Sequence, residues 1–248
     1  MRKTEIPLQG NLNLRWILLI LCIISFVSNS CERDNISGSG RIITEKREVD
    51  RFTAISVSGP FHVELLQGLR EPVRIEAEDN IVPAIEAYVS GTMLRIRLRR
   101  GVNLRHFREI KVYVQSPVYE QVSFSGSGSL TTPDILHCTD LLCEINGNAA
   151  TQLNLQADRL DVQVNGSGNA RLEGQTRLYK SEINGSGDVI AHGLQTKEAR
   201  IRIHGSGNHS ISVEELMDIR ILGSGDIRYK GSPTIRSSIM GSGRLIRI

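Results

Sequence analysis

The sequence predicts an all-β protein built as a parallel β-helix, and three observations carry that expectation. Gly-Ser-Gly recurs at 126–128, 166–168, 185–187, 205–207, 223–225 and 241–243, with Gly147-Asn148-Ala149 as a degenerate copy in the gap. Successive copies begin 21, 19, 19, 20, 18 and 18 residues apart. Each follows a stretch alternating with period two, the pattern of a half-buried strand. A repeat this short cannot bury its single apolar face alone, whereas stacked copies hydrogen-bond at a spacing of about 4.8 Å and bury it together. Seven such turns rise roughly 34 Å.

The first thirty residues stand outside this pattern. Arg2, Lys3 and Arg15 precede the apolar run Trp16–Val27. That run is too short for a bilayer core needing about 20 residues, so residues 1–30 read as a signal peptide. Val27-Ser28-Asn29-Ser30-Cys31 resembles a lipoprotein processing site that would leave Cys31 acylated. Residues 31–48 then read as a lipid-anchored tether, Gly/Ser-rich up to Gly40 and hence flexible there. Removing the leader takes the net charge from +3 to +1. With aromatics at 4%, this near-neutral chain offers no footprint for a nucleic acid.

From Arg41 to Pro117 the triplets are absent but alternation persists. Phe52–Val57 leads through a Gly59-Pro60 turn into Phe61–Leu65, and further strands follow at Val73–Ala77, Leu94–Leu98 and Ile110–Val114. Pro83 limits Asn80–Tyr88 to a short helical turn. This portion reads as irregular β-structure continuous with the solenoid, so that residues 49–248 form one domain.

In the repeats, the residue two before the first glycine is apolar in every copy, from Phe124 and Ile145 to Ile239. The residue four after it is mostly core-like, His209 being the polar exception besides Thr151. Glycine suits the corner because φ > 0 is cheap only without a Cβ. A propeller needs about twice this period. Hexad acyltransferase helices do not fit the drifting intervals, and nonapeptide calcium repeats do not fit the sparse aspartates.

The residues around Ser58-Gly59-Pro60-Phe61, Val112-Tyr113-Val114 with Pro117, the Gly-Ser-Gly series with Ile145-Asn146-Gly147 and Ile183-Asn184-Gly185, and Gly223–Pro233 together resemble the auto-transporter adhesin head GIN domain family of bacterial secreted proteins and lipoproteins. The resemblance covers about Val49 to Ile248. It implies a right-handed, pectin-lyase-like β-helix, no shared catalytic set, and a role in adhesion that is itself assigned by shape.

Candidate chemistry is sparse. Asn146, Asn165 and Asn184 hold one place in three consecutive turns. A row binding a sugar or cation is one reading, and a ladder of mutually bonded asparagines is the favoured one. His204 and His209 bracket one corner, but no Cys/His spacing suits zinc, and neither a metal nor a cofactor is expected. Cys138 and Cys143 could form a disulfide in an oxidising compartment, although Cys143 also reads as a small buried hydrophobe. Arg95, Arg97 and Arg99 make one strand face cationic, a candidate for anionic glycan or lipopolysaccharide and otherwise a solvated edge. The row Lys180, Arg200, Asp218, Arg236 suits ion pairing between turns.

No paired carboxylates, nucleophile elbow or phosphate loop points to catalysis. The expectation is a non-enzymatic cell-envelope lipoprotein, on the outer membrane and held there by its lipid, presenting a rigid solenoid for adhesion or glycan binding. If not lipidated, it would be secreted. A polysaccharide-active β-helix enzyme and a structural envelope component without ligand are the competing readings. A surface glycan or protein is the expected partner, and the C-terminal edge strand after Gly243 is expected to invite self-association.

Overall fold

The computed structural model describes residues 34–248. The expected leader over 1–30 and Cys31 lie outside the described residues.

The parallel β-helix is present and is longer than the triplets suggested. The chain forms β1 (Asp34–Ser37), β2 (Ile42–Arg47), β3 (Ala54–Ser58), β4 (Phe61–Gln67) and β5 (Val73–Glu78), then a single 3-10 turn at Val82–Ala84. β6 (Ile85–Ser90), β7 (Met93–Leu98), β8 (Val102–Arg105) and β9 (Ile110–Ser116) follow. The repeats supply β10 (Gln121–Gly126), β11 (Ser129–Thr131), β12 (Leu136–Gly147), β13 (Ala150–Gly166), β14 (Asn169–Gly185), β15 (Val189–Gly205), β16 (His209–Gly223), β17 (Ile227–Lys230), β18 (Thr234–Gly241) and β19 (Leu245–Arg247).

Two walls of parallel strands meet at the glycine corner. The first wall, leading into the corner, runs β7, β3, β10, β12, β13, β14, β15, β16, β18. The second, leading out of it, runs β9, β4, β11, β13, β14, β15, β16, β17, β19. The long strands β13 to β16 bend around the opposite corner and serve both walls.

Two of these layers come from the part expected to be irregular. Ser58 pairs with Ser125, and a Cβ on Gly126 would lie 2.6 Å from the Gly59 carbonyl oxygen. Gly59-Pro60-Phe61 is therefore a corner of the same column as the Gly-Ser-Gly triplets. The chain builds this β3/β4 layer first and then doubles back beneath it. β5 pairs antiparallel with β9, β6 pairs antiparallel with β7, and β2 lies antiparallel on β5. The antiparallel strands cover the edges that the lowest layer would otherwise leave open.

The tether expected over 31–48 is structured from Asp34 onward, a correction to the sequence reading. β1 pairs with β8, Arg47 Nη2 donates to the Val82 carbonyl at 2.9 Å, and the Gly40 amide donates to buried Glu78 at 2.7 Å. Pairing and buried partners hold this segment despite its flexible composition.

The interior is one continuous apolar file. The position two before the corner glycine is occupied by Val57, Phe124, Ile145, Val164, Ile183, Ile203 and Ile221, and Ile96 continues the file in register with Val57, all at most 1% exposed. Burying each such side chain contributes roughly 1.5–3 kcal/mol. Ile239, in the last described layer, is 38% exposed because no further layer covers it. The first glycine of each triplet has positive φ, 133° at Gly205 for example. The third is excluded from bearing a side chain by close approach: a Cβ on Gly207 would stand 2.1 Å from the Gly187 carbonyl oxygen. In the Gly-Ser-Gly corners glycine thus serves twice, for different reasons, whereas Phe61 and Ala149 take the third place in the other two.

Candidate ligand-binding face

Outside the first wall, side chains in register form rows along the column. The row next to the corner contains the asparagines. Asn165 Nδ2 donates to Asn146 Oδ1 at 3.0 Å, and Asn184 Nδ2 donates to Asn165 Oδ1 at 3.0 Å. Asn184 Oδ1 in turn meets His204 Nδ1 at 3.0 Å. The three asparagines form a ladder in which each side chain bonds to the next, and His204 extends it by one layer.

A second ladder lies just past the corner, where sequence reasoning saw only the lack of a calcium pattern. The Asp188 amide donates to Asn169 Oδ1 at 3.0 Å, the Asn208 amide to Asp188 Oδ1 at 2.8 Å, and the Asp226 amide to Asn208 Oδ1 at 3.1 Å. Arg244 closes the series, its amide donating to Asp226 Oδ1 at 3.0 Å and Nη2 to Asp226 Oδ2 at 2.6 Å. The Arg244 guanidinium holds the Asp226 carboxyl below the usual carboxylate range. Asn or Asp at this place in three consecutive corners after Asn169 was the available signal. Together the ladders brace the corner from both sides.

Farther from the corner, the first wall is charged. Lys180 Nζ lies 2.6 Å from Asp161 Oδ2, and Arg200 Nε lies 3.8 Å from Asp218 Oδ2, both pairs spanning adjacent layers. Beside this row runs a groove of about 300 Å³ lined by Arg159, Leu178, Lys180, Arg200, Leu216 and Arg236, with Glu198 and Asp218 also on its walls. Arg202 and Arg220, in the next row of β15 and β16, are exposed and in register with each other. The C-terminal half of this wall therefore combines cations with the half-buried leucines of the corner.

The structure does not bring the sequence candidates together. Arg95 and Arg97 sit in the lowest layer, and three pairings (Arg97 to Ser58, Ser125 and Asn146) separate Arg97 from the ladder. Arg97 Nε pairs with Glu86 at 2.8 Å, the contact that chiefly raises its pKa, and its guanidinium lies 5.6 Å from the Tyr88 ring centroid. Arg99 is exposed, its amide bonded to the Ala84 carbonyl at 2.8 Å.

Cys138 and Cys143 are both free thiols, which corrects the disulfide considered from the sequence. Cys143 is 1% exposed, and burial pushes its thiol up to about 12. Cys138 is half-buried and is pushed up to about 11 by the same cause. His204 and His209 fall on opposite sides of the backbone, the first on the outer ladder and the second 1% exposed in the core. Among the described residues, no three His, Cys, Asp or Glu side chains converge as a metal site, and no helix is long and apolar enough to cross a membrane.

A stacked column with glycine corners and a polar, laddered outer face defines a parallel β-solenoid. The family described as "Putative auto-transporter adhesin, head GIN domain" matches residues 51–233, and the chain belongs to this family. Among solved structures, the chain is similar to a "putative adhesin" from Bacteroides fragilis, at 28% identity and a TM-score of 0.80, over 86% of this chain and 100% of that one. A "putative lipid binding protein" from Parabacteroides distasonis, at 23% identity, has the same fold, with a TM-score of 0.75 over 87% of this chain and 100% of that one. So does a "putative adhesin" from Parabacteroides merdae, at 24% identity and a TM-score of 0.71, over 87% and 99% of the two chains. No curated protein matches the chain. The family's description as adhesins fits a cell-envelope or surface location.

Proposed function

We propose that this protein is a non-catalytic adhesin head, anchored to the cell envelope by lipid on Cys31, whose first wall binds an acidic glycan. The observation that supports it is the groove along β14 to β18. Three layers contribute Lys180, Arg200 and Arg236 to it, and half-buried Leu178 and Leu216 offer apolar contact to sugar rings. The layers are fixed in register by the two ladders, so Lys180 and Arg200 stand about 4.8 Å apart and Arg236 about twice as far beyond Arg200, with Asp218 between them. Guanidinium groups suit carboxylate and sulfate because their donors form a planar fork.

The test is a glycan array probed with the chain from residue 31 onward, with Cys31→Ser so that no lipid is attached. Uronate-containing or sulfated glycans should bind and neutral ones should not. Arg200→Glu with Arg236→Glu should abolish that binding while circular dichroism shows the fold retained, and Arg236→Gln, which creates no like-charge pair, should weaken it. Binding of neutral glycans alone, or acidic binding untouched by the two reversals, would refute the assignment. Anchoring is tested separately: the wild-type chain should take up labelled palmitate in cells, and Cys31→Ser should not.

A further inference from the structure

The corner opposite the glycines changes character along the column. In the layers of β14 to β16 it carries Arg177, Lys197 and Glu215, paired to charges on neighbouring layers: Arg177 to Asp158 at 2.7 Å and Lys197 to Glu215 at 3.5 Å. In the three lowest layers the same corner carries Val118, Leu69 and Ile135, which are 46%, 86% and 49% exposed. The lowest two layers also form an open pocket of about 420 Å³ lined by Phe52, Thr92, Ser116, Pro117 and Val118, with Arg51 and Arg70 on its walls. Phe52 is 4% exposed and forms part of a mostly apolar lining.

The two arginines differ from the others at this corner. Neither forms an ion pair among the described residues. Arg70 is held by a hydrogen bond from Nη1 to the Val49 carbonyl, and Arg51 is exposed. Gln67 and Gln115 fix the loop that bears Leu69 and Arg70: Gln67 Nε2 donates to the Pro117 and His137 carbonyls at 3.0 and 2.9 Å, and Gln115 Nε2 donates to the Leu69 carbonyl at 2.8 Å. An apolar cavity on the small side of the range for ligand sites, with two guanidinium groups and no carboxylate partner, is complementary to an alkyl chain ending in an anion.

We propose that the cavity between Phe52, Pro117 and Val118 is a binding site for a single-chain anionic amphiphile of the fatty-acid class, its head on Arg51 and Arg70 and its first methylenes against the apolar lining. The site lies apart from the β14 to β18 groove, and its assignment stands or falls independently of glycan binding. The same chemistry is offered by a free fatty acid and by an anionic membrane lipid.

The experiment is calorimetric titration of the chain from residue 31, with Cys31→Ser, using decanoate, butyrate and decyltrimethylammonium as probes. Decanoate should bind at one site, and the short anion and the long cation should each bind at least about tenfold more weakly. Arg51→Ala with Arg70→Ala, and separately Val118→Asp, should each weaken decanoate by about tenfold or more, while Arg236→Glu leaves it unchanged. These side chains are exposed, so circular dichroism and the unfolding midpoint should be unaltered. Flotation with phosphatidylglycerol vesicles that is competed by decanoate identifies membrane lipid as the source; decanoate binding without flotation identifies the free acid. The proposal is overturned if decanoate does not saturate, if the cation binds equally well, if the variants bind as wild type, or if sedimentation shows the corner covered by a second copy of the chain.

Discussion

Across the interior of the solenoid, the Tyr179 hydroxyl and Nε2 of His209 in the next layer share a hydrogen bond of 2.9 Å, with the two rings edge to face at a centroid separation of 5.6 Å. Both side chains are buried, and His209 Nδ1 has no hydrogen-bond partner of normal geometry. Burial lowers the His209 pKa to about 3, opposed only by a weak contact with the Ser210 backbone, and burial raises that of Tyr179.

The folded state therefore holds His209 neutral where the unfolded chain accepts a proton near the ordinary pKa of 6.5. Stability from this residue is fully present above 6.5 and is lost as the pH falls from 6.5 toward 3, by about 1.4 kcal/mol per pH unit. Denaturant titrations at a series of pH values should show that slope, and the Tyr179→Phe/His209→Leu double variant should lack it. Each single replacement strands a buried polar group and should cost about 1–3 kcal/mol near neutral pH, whereas the pair should be nearer neutral. A wild-type profile as flat as the double variant's would contradict this account.

Glycine substitutions should separate by position. Gly187→Ala places a Cβ 2.1 Å from the Gly168 carbonyl oxygen, so two layers must part. The expected loss is on the order of 2–4 kcal/mol. Gly40→Ala, at φ 83° but with nothing within 4 Å, should lose only about 1 kcal/mol through backbone strain. Urea midpoints measure both.

The asparagine ladder predicts a graded series. Asn165→Ala removes one hydrogen bond to each neighbouring layer, and Asn165→Asp keeps the acceptor for Asn184 but loses the donor to Asn146. At this solvent-exposed site the alanine variant should cost about 1 kcal/mol and the aspartate variant should show less loss near pH 3 than at pH 7. The proposed glycan binding should persist in both, since the asparagines lie outside the charged groove.

Thiol chemistry tests the interior directly. Under native conditions at pH 8, Cys143 should resist iodoacetamide until the chain unfolds, while half-buried Cys138 should react slowly, its raised pKa leaving little thiolate. Mass spectrometry of the unreduced chain should find both residues alkylated after denaturation. Recovery of a Cys138–Cys143 bridge would overturn this.

The repeat was legible because its signal is local: glycine pairs and alternation lie within each copy, and the inward Ile183, Ile203 and Ile221 could be named from spacing alone. The asparagine ladder was legible for the same reason. Gly59-Pro60-Phe61 was not recognised as a corner because Phe61 stands where the other corners have glycine or alanine, and because its layer partner Gly126 is remote in sequence. The layer order was hidden for a stronger reason. Alternation identifies strands but carries no information on their neighbours, and the β7/β9 layer lies beneath an earlier one. The groove and the apolar cavity join side chains from several layers, and no single stretch of sequence contains either. The Tyr179–His209 contact crosses from one wall to the other, which column spacing alone could not foresee.

The paired glycines have a consequence for how such molecules change size. Each hinge accepts only another hinge above it, so a whole period can be duplicated or excised without disturbing those that remain. Excision of residues 167–185 would bring Gly166 directly before Ser186-Gly187, reconstituting an intact bend. The doubled-back base has no such freedom, since its strands interlock out of chain order. The column can thus lengthen or shorten by whole periods within its Gly-Ser-Gly region, and not within its base.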